Sequence, residues 1–304
     1  MSVTVAFERY IEKILFTLND HIGHWVPWKY KNHVVKALYR KGKLKSKILT
    51  IDLTGSCNLR CPSCPVGSIG ELYSDGRMDI ALFKAIIIKA RDEYGIQVVA
   101  LHNWTEPFLH PDLPQFIRVV KDNGLICTIS TNLTIRRNLE EIVAAGPDFL
   151  RISLSGFYQE SYKKTHVRGN IEHVKTNMKV LSDTLKSFGK YKICVTVFYH
   201  KYKHNLDEMT EMQTYAKQLG FEWEDVWAYY MSLEKVLQLV DGQLEQSDQE
   251  FVKNFALPIP QAIMAAKEIE DPNRCSLLED QVVIDYQGNI NLCCAVYDLS
   301  LIHI

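Results

Sequence analysis

The chain has 304 residues, 47% of them hydrophobic and 23% charged, close to globular averages, which excludes a disordered tail, a collagen and a disulfide miniprotein. The length suits one large α/β domain or about two domains of ~150 residues. Thirty-five basic and 36 acidic residues give a formal net charge of −1, so no global field draws the molecule to nucleic acid, and no nucleic-acid partner is expected.

In chain order, residues 1–46 read as a helical, basic extension. Val5, Tyr10, Ile11, Ile14, Leu15 and Leu18 recur at helical spacing, and Glu8, Arg9 and Glu12 inside that pattern make a poor signal peptide. From His21 to Ile51 there is no acidic residue, while eight basic residues run from Lys29 to Lys47 beside Trp25 and Trp28. Residues 21–47 thus suit weak contact with an anionic membrane surface, or simply a solvated helix face and linker. No apolar run reaches the ~18–20 residues of a spanning helix, and a cytoplasmic location is expected.

From Lys47 short strands alternate with helices. Strands are predicted at Ile48–Leu53, Gln97–His102, Leu125–Ser130, Phe149–Leu154, Tyr191–Tyr199 and Glu222–Tyr230. Helices are predicted at Asp79–Tyr94, Asp112–Asn123, Ile135–Ala145, Ile171–Phe188 and Leu206–Leu219, most of them ended by a glycine. Parallel strands need crossover connections, so this alternation predicts a partial (β/α)6 barrel of the TIM type over residues 47–231, with ligands at the carboxyl ends of the strands. Residues 232–304 are more polar. They offer a helix near Ser247–Ala266 and a hairpin of Val282–Asp285 with Asn289–Leu292, turning at Tyr286-Gln287-Gly288.

Eight cysteines are unevenly placed. Cys127 and Cys194 sit in apolar β-branched runs and read as core residues. Cys57, Cys61 and Cys64 lie in the loop after the first predicted strand, Thr54-Gly55-Ser56-Cys57-Asn58-Leu59-Arg60-Cys61-Pro62-Ser63-Cys64-Pro65. A disulfide framework is not expected in a large chain without an export signal. Thiolates suit iron–sulfur or zinc. A structural zinc site wants four ligands and this segment supplies three, whereas a [4Fe–4S] cube can take one thiolate on each of three irons and leave the fourth open.

This CxxxCxxC loop after the first strand of a repeated βα unit resembles the radical S-adenosylmethionine superfamily, over about Lys47–Tyr230. The resemblance implies that Cys57, Cys61 and Cys64 ligate a [4Fe–4S] cluster and that S-adenosylmethionine chelates its open iron. One electron then cleaves the sulfonium C–S bond to give a 5′-deoxyadenosyl radical that takes hydrogen from a substrate. It also implies an electron donor such as flavodoxin or ferredoxin, and a peptide or small-molecule substrate, with peptide or protein slightly favoured. The family usually carries an aromatic residue before the third cysteine; here Ser63 stands there.

The resemblance extends to the strand ends. His102-Asn103-Trp104-Thr105-Glu106-Pro107 is similar to the family's Gly-Gly-Glu-Pro element, with Trp104 and Thr105 in place of glycines. It implies that Glu106 and the Thr105 carbonyl receive the ammonium of S-adenosylmethionine while Pro107 fixes the turn. Asp112 is expected to cap the next helix. Ser130-Thr131-Asn132-Leu133 is similar to a Thr-Asn-Gly segment that approaches ribose and substrate, with Leu133 for glycine. Ser153 and Ser155 at the fourth strand end are candidates for ribose or carboxylate, and Arg168 for the methionine carboxylate. His102, His166 and His200 lie at or beyond strand ends and are not assigned as bases.

Cys275, Gly288 and Cys293 have the spacing that opens an auxiliary-cluster extension of the SPASM or twitch type. A possible auxiliary iron–sulfur cluster follows from that resemblance, but no cysteine comes after Cys294. A truncated chain or an incomplete site is therefore expected. The alternative of a different class is a non-enzymatic zinc or iron–sulfur protein that uses the cysteine loop structurally.

Overall fold

The computed structural model describes residues 47–68, 74–189, 193–228, 235, 238–239, 241–255 and 281–291. The N-terminal extension and Cys275, Cys293 and Cys294 lie outside the described residues. Eight strands form one sheet in the order β6-β5-β4-β3-β2-β1-β7-β8. They are β1 (Ile48–Ile51), β2 (Val98–Ala100), β3 (Ile126–Thr131), β4 (Phe149–Leu154), β5 (Cys194–Lys201), β6 (Glu222–Trp227), β7 (Gln281–Ile284) and β8 (Ile290–Asn291). All neighbours pair in parallel except β7 with β8.

The helices are α1 (Pro65–Ser68), α2 (Ile80–Tyr94), α3 (Leu113–Asp122), α4 (Leu139–Ala145), α5 (Gln159–Thr165), α6 (Ile171–Ser187), α7 (Met209–Gln218) and α8 (Gln246–Val252). Local chemistry sets their ends. Asp79 accepts hydrogen bonds from the backbone of Ala81 and Leu82 at 2.7 and 3.1 Å to start α2, and Gly95 at φ 65° closes it. Asp112 does occupy the N-cap position of α3, but it makes no side-chain cap bond; its carboxylate accepts from Gln115 Nε2 instead. α4 starts at Leu139, later than the apolar pattern suggests. Asn138 before it is left-handed at φ 58° and donates from its side chain to the Pro111 carbonyl at 2.6 Å.

One core holds the described unit together, and it lies on one face of the sheet. Leu49, Ile51, Val99, Leu101, Ile129, Leu150, Ile152, Val195 and Val197 point to the side where Phe83 and Ile87 of α2, Phe116 and Ile117 of α3 and Val174 and Met178 of α6 pack. Burying each such side chain contributes roughly 1.5–3 kcal/mol. A parallel sheet with its helices on one face curls, and its other face becomes the inside of a partial barrel.

The sequence pattern places the final hairpin in the segment after the barrel, residues 232–304. The structure adds it to the sheet: β7 pairs in parallel with β1, from Ile48 opposite Gln281 to Ile51 opposite Ile284. Tyr286 in its turn bonds Ser74 Oγ at 2.8 Å and lies over Gly55 and Gly76, where any Cβ would overlap its ring.

Candidate functional site

The cysteine loop leaves β1 at the carboxyl edge of the sheet and is fixed by backbone bonds on both sides. Gly55 N donates to Gly76 O at 2.9 Å, Glu106 N to Ser56 O at 3.1 Å, and Arg60 N to Val167 O at 3.0 Å. The Arg60 guanidinium closes the first turn by donating to the carbonyls of Cys57 and Leu59 at 2.6 and 2.8 Å. Cys64 N bonds Cys61 O at 3.0 Å, and the Cys64 carbonyl accepts from Gly67 and Ser68 as α1 begins. Gly67 is required there, because a Cβ would run into the Cys61 backbone.

The three thiols are half-buried and unoxidised. Burial pushes Cys57 up to about 12, with Glu106 and Cys64 adding to the rise. It lifts Cys64 to about 11 and Cys61 well above its ordinary value, where Cys64 and Cys57 contribute as well. Three buried sulfurs that raise one another's pKa need a cationic partner to become thiolates. Among the described residues no three His, Cys, Asp or Glu side chains are grouped to hold one metal ion. Three soft donors close enough to raise one another's pKa suit a cube that takes one thiolate per iron.

The neighbouring strand end is shaped by a residue that sequence reading passed over. Asp52, buried after β1, accepts from the backbone N–H of Asn103, Trp104 and Thr105 at 2.9, 3.2 and 3.1 Å and from Thr105 Oγ1 at 2.7 Å. Burial raises its pKa although every one of these bonds opposes the rise. The Trp104 carbonyl, held by this loop, accepts from Cys64 Sγ at 3.7 Å. A lone acidic residue at a strand end is a weak sequence signal, and its three consecutive backbone partners appear only in the fold.

Glu106 is buried, at 3% exposure. Its Oε1 accepts from Thr131 Oγ1 at 2.7 Å and Phe108 N at 3.1 Å, and its Oε2 accepts from Asn132 N at 2.8 Å. Burial, the largest cause, raises the carboxyl to about 7 against these bonds. Pro107 opens the short 3-10 turn that Glu106 caps. Thr105 is committed to Asp52 through both its amide and its hydroxyl.

The structure places the remaining candidates as follows. Asn132 donates from Nδ2 to Asn58 Oδ1 at 3.0 Å and toward Cys57 Sγ at 3.7 Å. Leu133 holds φ 52°, the left-handed backbone that glycine adopts without strain; its buried side chain joins the core. Ser130 accepts from Arg151 Nε at 2.9 Å. Ser153 is half-buried on the helix-free face, in register with Phe198. Ser155 is fully buried and its hydroxyl is engaged by Thr165 and by His166 Nδ1. Arg168 is exposed and left-handed at φ 75°, next to the Val167 carbonyl that anchors the cysteine loop. Ser63 pairs with the Tyr202 hydroxyl at 3.3 Å, which brings an aromatic residue from beyond β5 against the loop.

Comparisons with known proteins agree with this arrangement. A family model described as "Radical SAM superfamily" matches residues 51–216. The chain is 31% identical over 127 residues to a "Probable GTP 3',8-cyclase" of Methanococcus maripaludis strain C5, covering 41% of this chain and 42% of that one. It is 27% identical over 182 residues to the "Tungsten-containing aldehyde ferredoxin oxidoreductase cofactor-modifying protein" of Pyrococcus furiosus, covering 58% and 49%. Those matches thus span less than half of either relative's length. Among solved structures, Streptococcus suis SuiB bound to precursor peptide SuiA shares the fold, with TM-score 0.56 and 15% identity over 88% of this chain and 64% of that one.

Proposed function

The chain belongs to the radical SAM superfamily, and on that premise we propose that it is an enzyme in which Cys57, Cys61 and Cys64 hold the [4Fe–4S] cluster that this family uses with S-adenosylmethionine. When bound, that pair supplies a 5′-deoxyadenosyl radical, made by one-electron cleavage of the sulfonium C–S bond, which takes hydrogen from a peptide or small-molecule substrate.

The chain's own residues hold the parts in place. Glu106 is the acceptor for the ammonium of S-adenosylmethionine. A carboxylate has about four lone-pair positions, and Glu106 uses three of them on Thr131, Phe108 and Asn132. A cation at the fourth would bring its pKa down from about 7 and keep it ionised. Thr105 offers its carbonyl beside it, since its amide and hydroxyl are spent on Asp52. Arg168, beside the loop anchor at Val167, is the partner for the methionine carboxylate. Ser130, Asn132 and Ser153 form the polar wall toward ribose. The Ser155 hydroxyl is closed off by Thr165 and His166 and takes no part. An external reductant of the flavodoxin or ferredoxin type completes the reaction.

The observation that carries this reading is the three mutually interacting buried thiols at the carboxyl edge of a one-sided parallel sheet, beside the Glu106 acceptor. Anaerobic reconstitution with iron and sulfide tests it. The expected result is a brown protein with about four irons that converts S-adenosylmethionine, with dithionite, to 5′-deoxyadenosine and methionine, and that loses both properties in Cys61→Ala. A colourless protein with one zinc would overturn it.

A further inference from the structure

We propose that Asp52 is a positioning residue for S-adenosylmethionine: it gathers three consecutive amides after β2 onto one carboxylate oxygen and so fixes where the carbonyls of that loop point. This deepens the radical SAM reading and rests on it, because the same loop leads into Glu106 and touches Cys64.

Strand alternation puts Asp52 inside the partial barrel. Leu49, Ile51 and Leu53 are buried in the core against the helices, so Thr50 and Asp52 face the other way. Register pairs Thr50 with Ala100, which brings Asp52, two residues on, level with the end of β2. The backbone of Asp52 is held from the opposite side, where its N–H donates to the Ile284 carbonyl of β7 at 3.0 Å. The carboxylate is buried, at 6% exposure, and it starts from a fixed point.

The two carboxylate oxygens are used unequally. Oδ1 accepts from Asn103 N at 2.9 Å, Trp104 N at 3.2 Å, Thr105 N at 3.1 Å and Thr105 Oγ1 at 2.7 Å, whereas Oδ2 only shares Trp104 N at 3.2 Å. Successive N–H groups that converge on an anion form a nest, and here the chain supplies the anion itself. A trans peptide points its C=O opposite to its N–H, and no peptide among the described residues is cis. The carbonyls of His102, Asn103 and Trp104 therefore face away from Asp52. The Trp104 carbonyl marks the direction, since it accepts from Cys64 Sγ at 3.7 Å. The next amide, Glu106 N, is spent on the Ser56 carbonyl, which turns the Thr105 carbonyl away from Ser56. An ammonium has N–H donors and no acceptor, so it needs a set of acceptor oxygens and gains nothing from amides. Committing every amide of residues 103–106 to Asp52 and Ser56 leaves carbonyls for such a cation, beside the open lone-pair position of Glu106.

The test titrates the full reconstituted chain with S-adenosylmethionine while the cluster is oxidised, so that binding is read without cleavage, and iron content is measured on the same samples. Asp52→Asn keeps Oδ1 and removes the charge. Asp52→Glu keeps the charge and moves the oxygens by one methylene, and Asp52→Ala removes both. Affinity is expected to fall at least about tenfold in Asp52→Glu and Asp52→Ala, because the acceptor oxygens are misplaced, and much less in Asp52→Asn. Iron content should stay at the wild-type level in all three. Circular dichroism confirms that the variants fold. Should Asp52→Glu and Asp52→Ala not fold, Thr105→Val, which deletes only the 2.7 Å bond to Asp52, should still weaken binding severalfold, and wild-type affinity in that variant would overturn the proposal. It is also overturned if Asp52→Glu binds better than Asp52→Asn, which would make the charge the active feature. Iron lost in step with affinity overturns it as well, since the loop would then serve the cluster alone. A wild type that takes up neither the cluster nor S-adenosylmethionine fails the radical SAM reading itself, whereas a wild type that binds both and is indifferent to these substitutions fails only the role of Asp52.

Discussion

The side-chain amide of Asn132 stands 3.7 Å from the sulfur of Cys57, and its orientation is dictated by the backbone. Thr134 N, which can only donate, lies 3.0 Å from Asn132 Oδ1, so the NH2 group must face the sulfur. Thr134 Oγ1 donates to the same oxygen at 2.6 Å, and Asn58 Nδ2 reaches Thr134 Oγ1 at 2.6 Å, closing a ring around the contact. Glu106 then holds the Asn132 backbone from the other side. The end of β3 is thereby tied to the first cysteine through one amide.

Hydrogen bonds to cysteine sulfurs are among the determinants of iron–sulfur potentials, because they stabilise the more negative, reduced cluster. Asn132→Leu in the reconstituted protein should therefore move the midpoint potential to a more negative value while iron content stays at the wild-type level. Potentiometric titration followed by electron paramagnetic resonance reads the shift. An unchanged potential would mean that the amide serves only to hold the loop.

Glu106 gives a pH dependence of stability with a definite sign. Its folded pKa of about 7 lies above the ordinary 4.5, so the folded protein keeps the proton longer than the unfolded chain. The stability this group contributes is present below about pH 4.5 and is lost as pH rises to about 7, on the order of 3 kcal/mol in all. Glu106→Gln does not titrate. It also turns an NH2 group toward one of three donors, at a cost of about 1–3 kcal/mol. Urea unfolding of both proteins without metal between pH 5 and 7.5 should show the wild type losing ground to the variant as pH rises. Parallel pH profiles would show that the carboxyl is ionised throughout.

Much of this site is legible in the sequence because it is local. The spacing of Cys57, Cys61 and Cys64, the glycines that end helices and the apolar period of Phe149–Leu154 each depend on a few neighbours in the chain. What is not legible depends on partners far apart. Asp52 meets its three amides some fifty residues on, and β7 joins β1 across more than two hundred. Ser63 reads as the loss of an aromatic contact, yet Tyr202, 139 positions away, supplies an aromatic neighbour. Leu133 at a left-handed position breaks a local rule, and burial in the core together with the Asn177 Nδ2 bond to its carbonyl at 2.9 Å offsets the strain.

The β7–β8 hairpin docks through Tyr286, and the contact can be tested by a double-mutant cycle. A Cβ at Gly76 overlaps the Tyr286 ring, and one at Gly55 would lie 2.8 Å from its Cε1. Gly76→Ala should cost about 1–3 kcal/mol through this overlap. In a Tyr286→Ala background the methyl group has room, and most of that cost should vanish. The two substitutions are then strongly non-additive. Additive losses would mean that the Gly76 backbone, and not the ring, sets the requirement.

Tyr162 carries one of the buried polar groups that have no hydrogen-bond partner among the described residues. Its ring is fully buried, stacks on His166 at a centroid distance of 4.7 Å, and touches Gly169 closely enough that a Cβ there would lie 2.7 Å from it. Its hydroxyl makes no hydrogen bond, and it lies near enough to Cys61, Glu106 and Cys57 that their charges raise its pKa beyond what burial does. An unsatisfied buried hydroxyl costs about 1–3 kcal/mol, which removal recovers when the ring is kept. Tyr162→Phe should therefore leave the metal-free protein at least as stable as wild type, and up to about 1–3 kcal/mol more so. If the hydroxyl is reserved for a group bound between the cysteines and Glu106, that advantage should shrink or reverse once the cluster and S-adenosylmethionine are loaded. Thermal unfolding of both proteins, metal-free and loaded, separates the cases. A variant that is less stable without metal would show that the hydroxyl already has a partner in the fold.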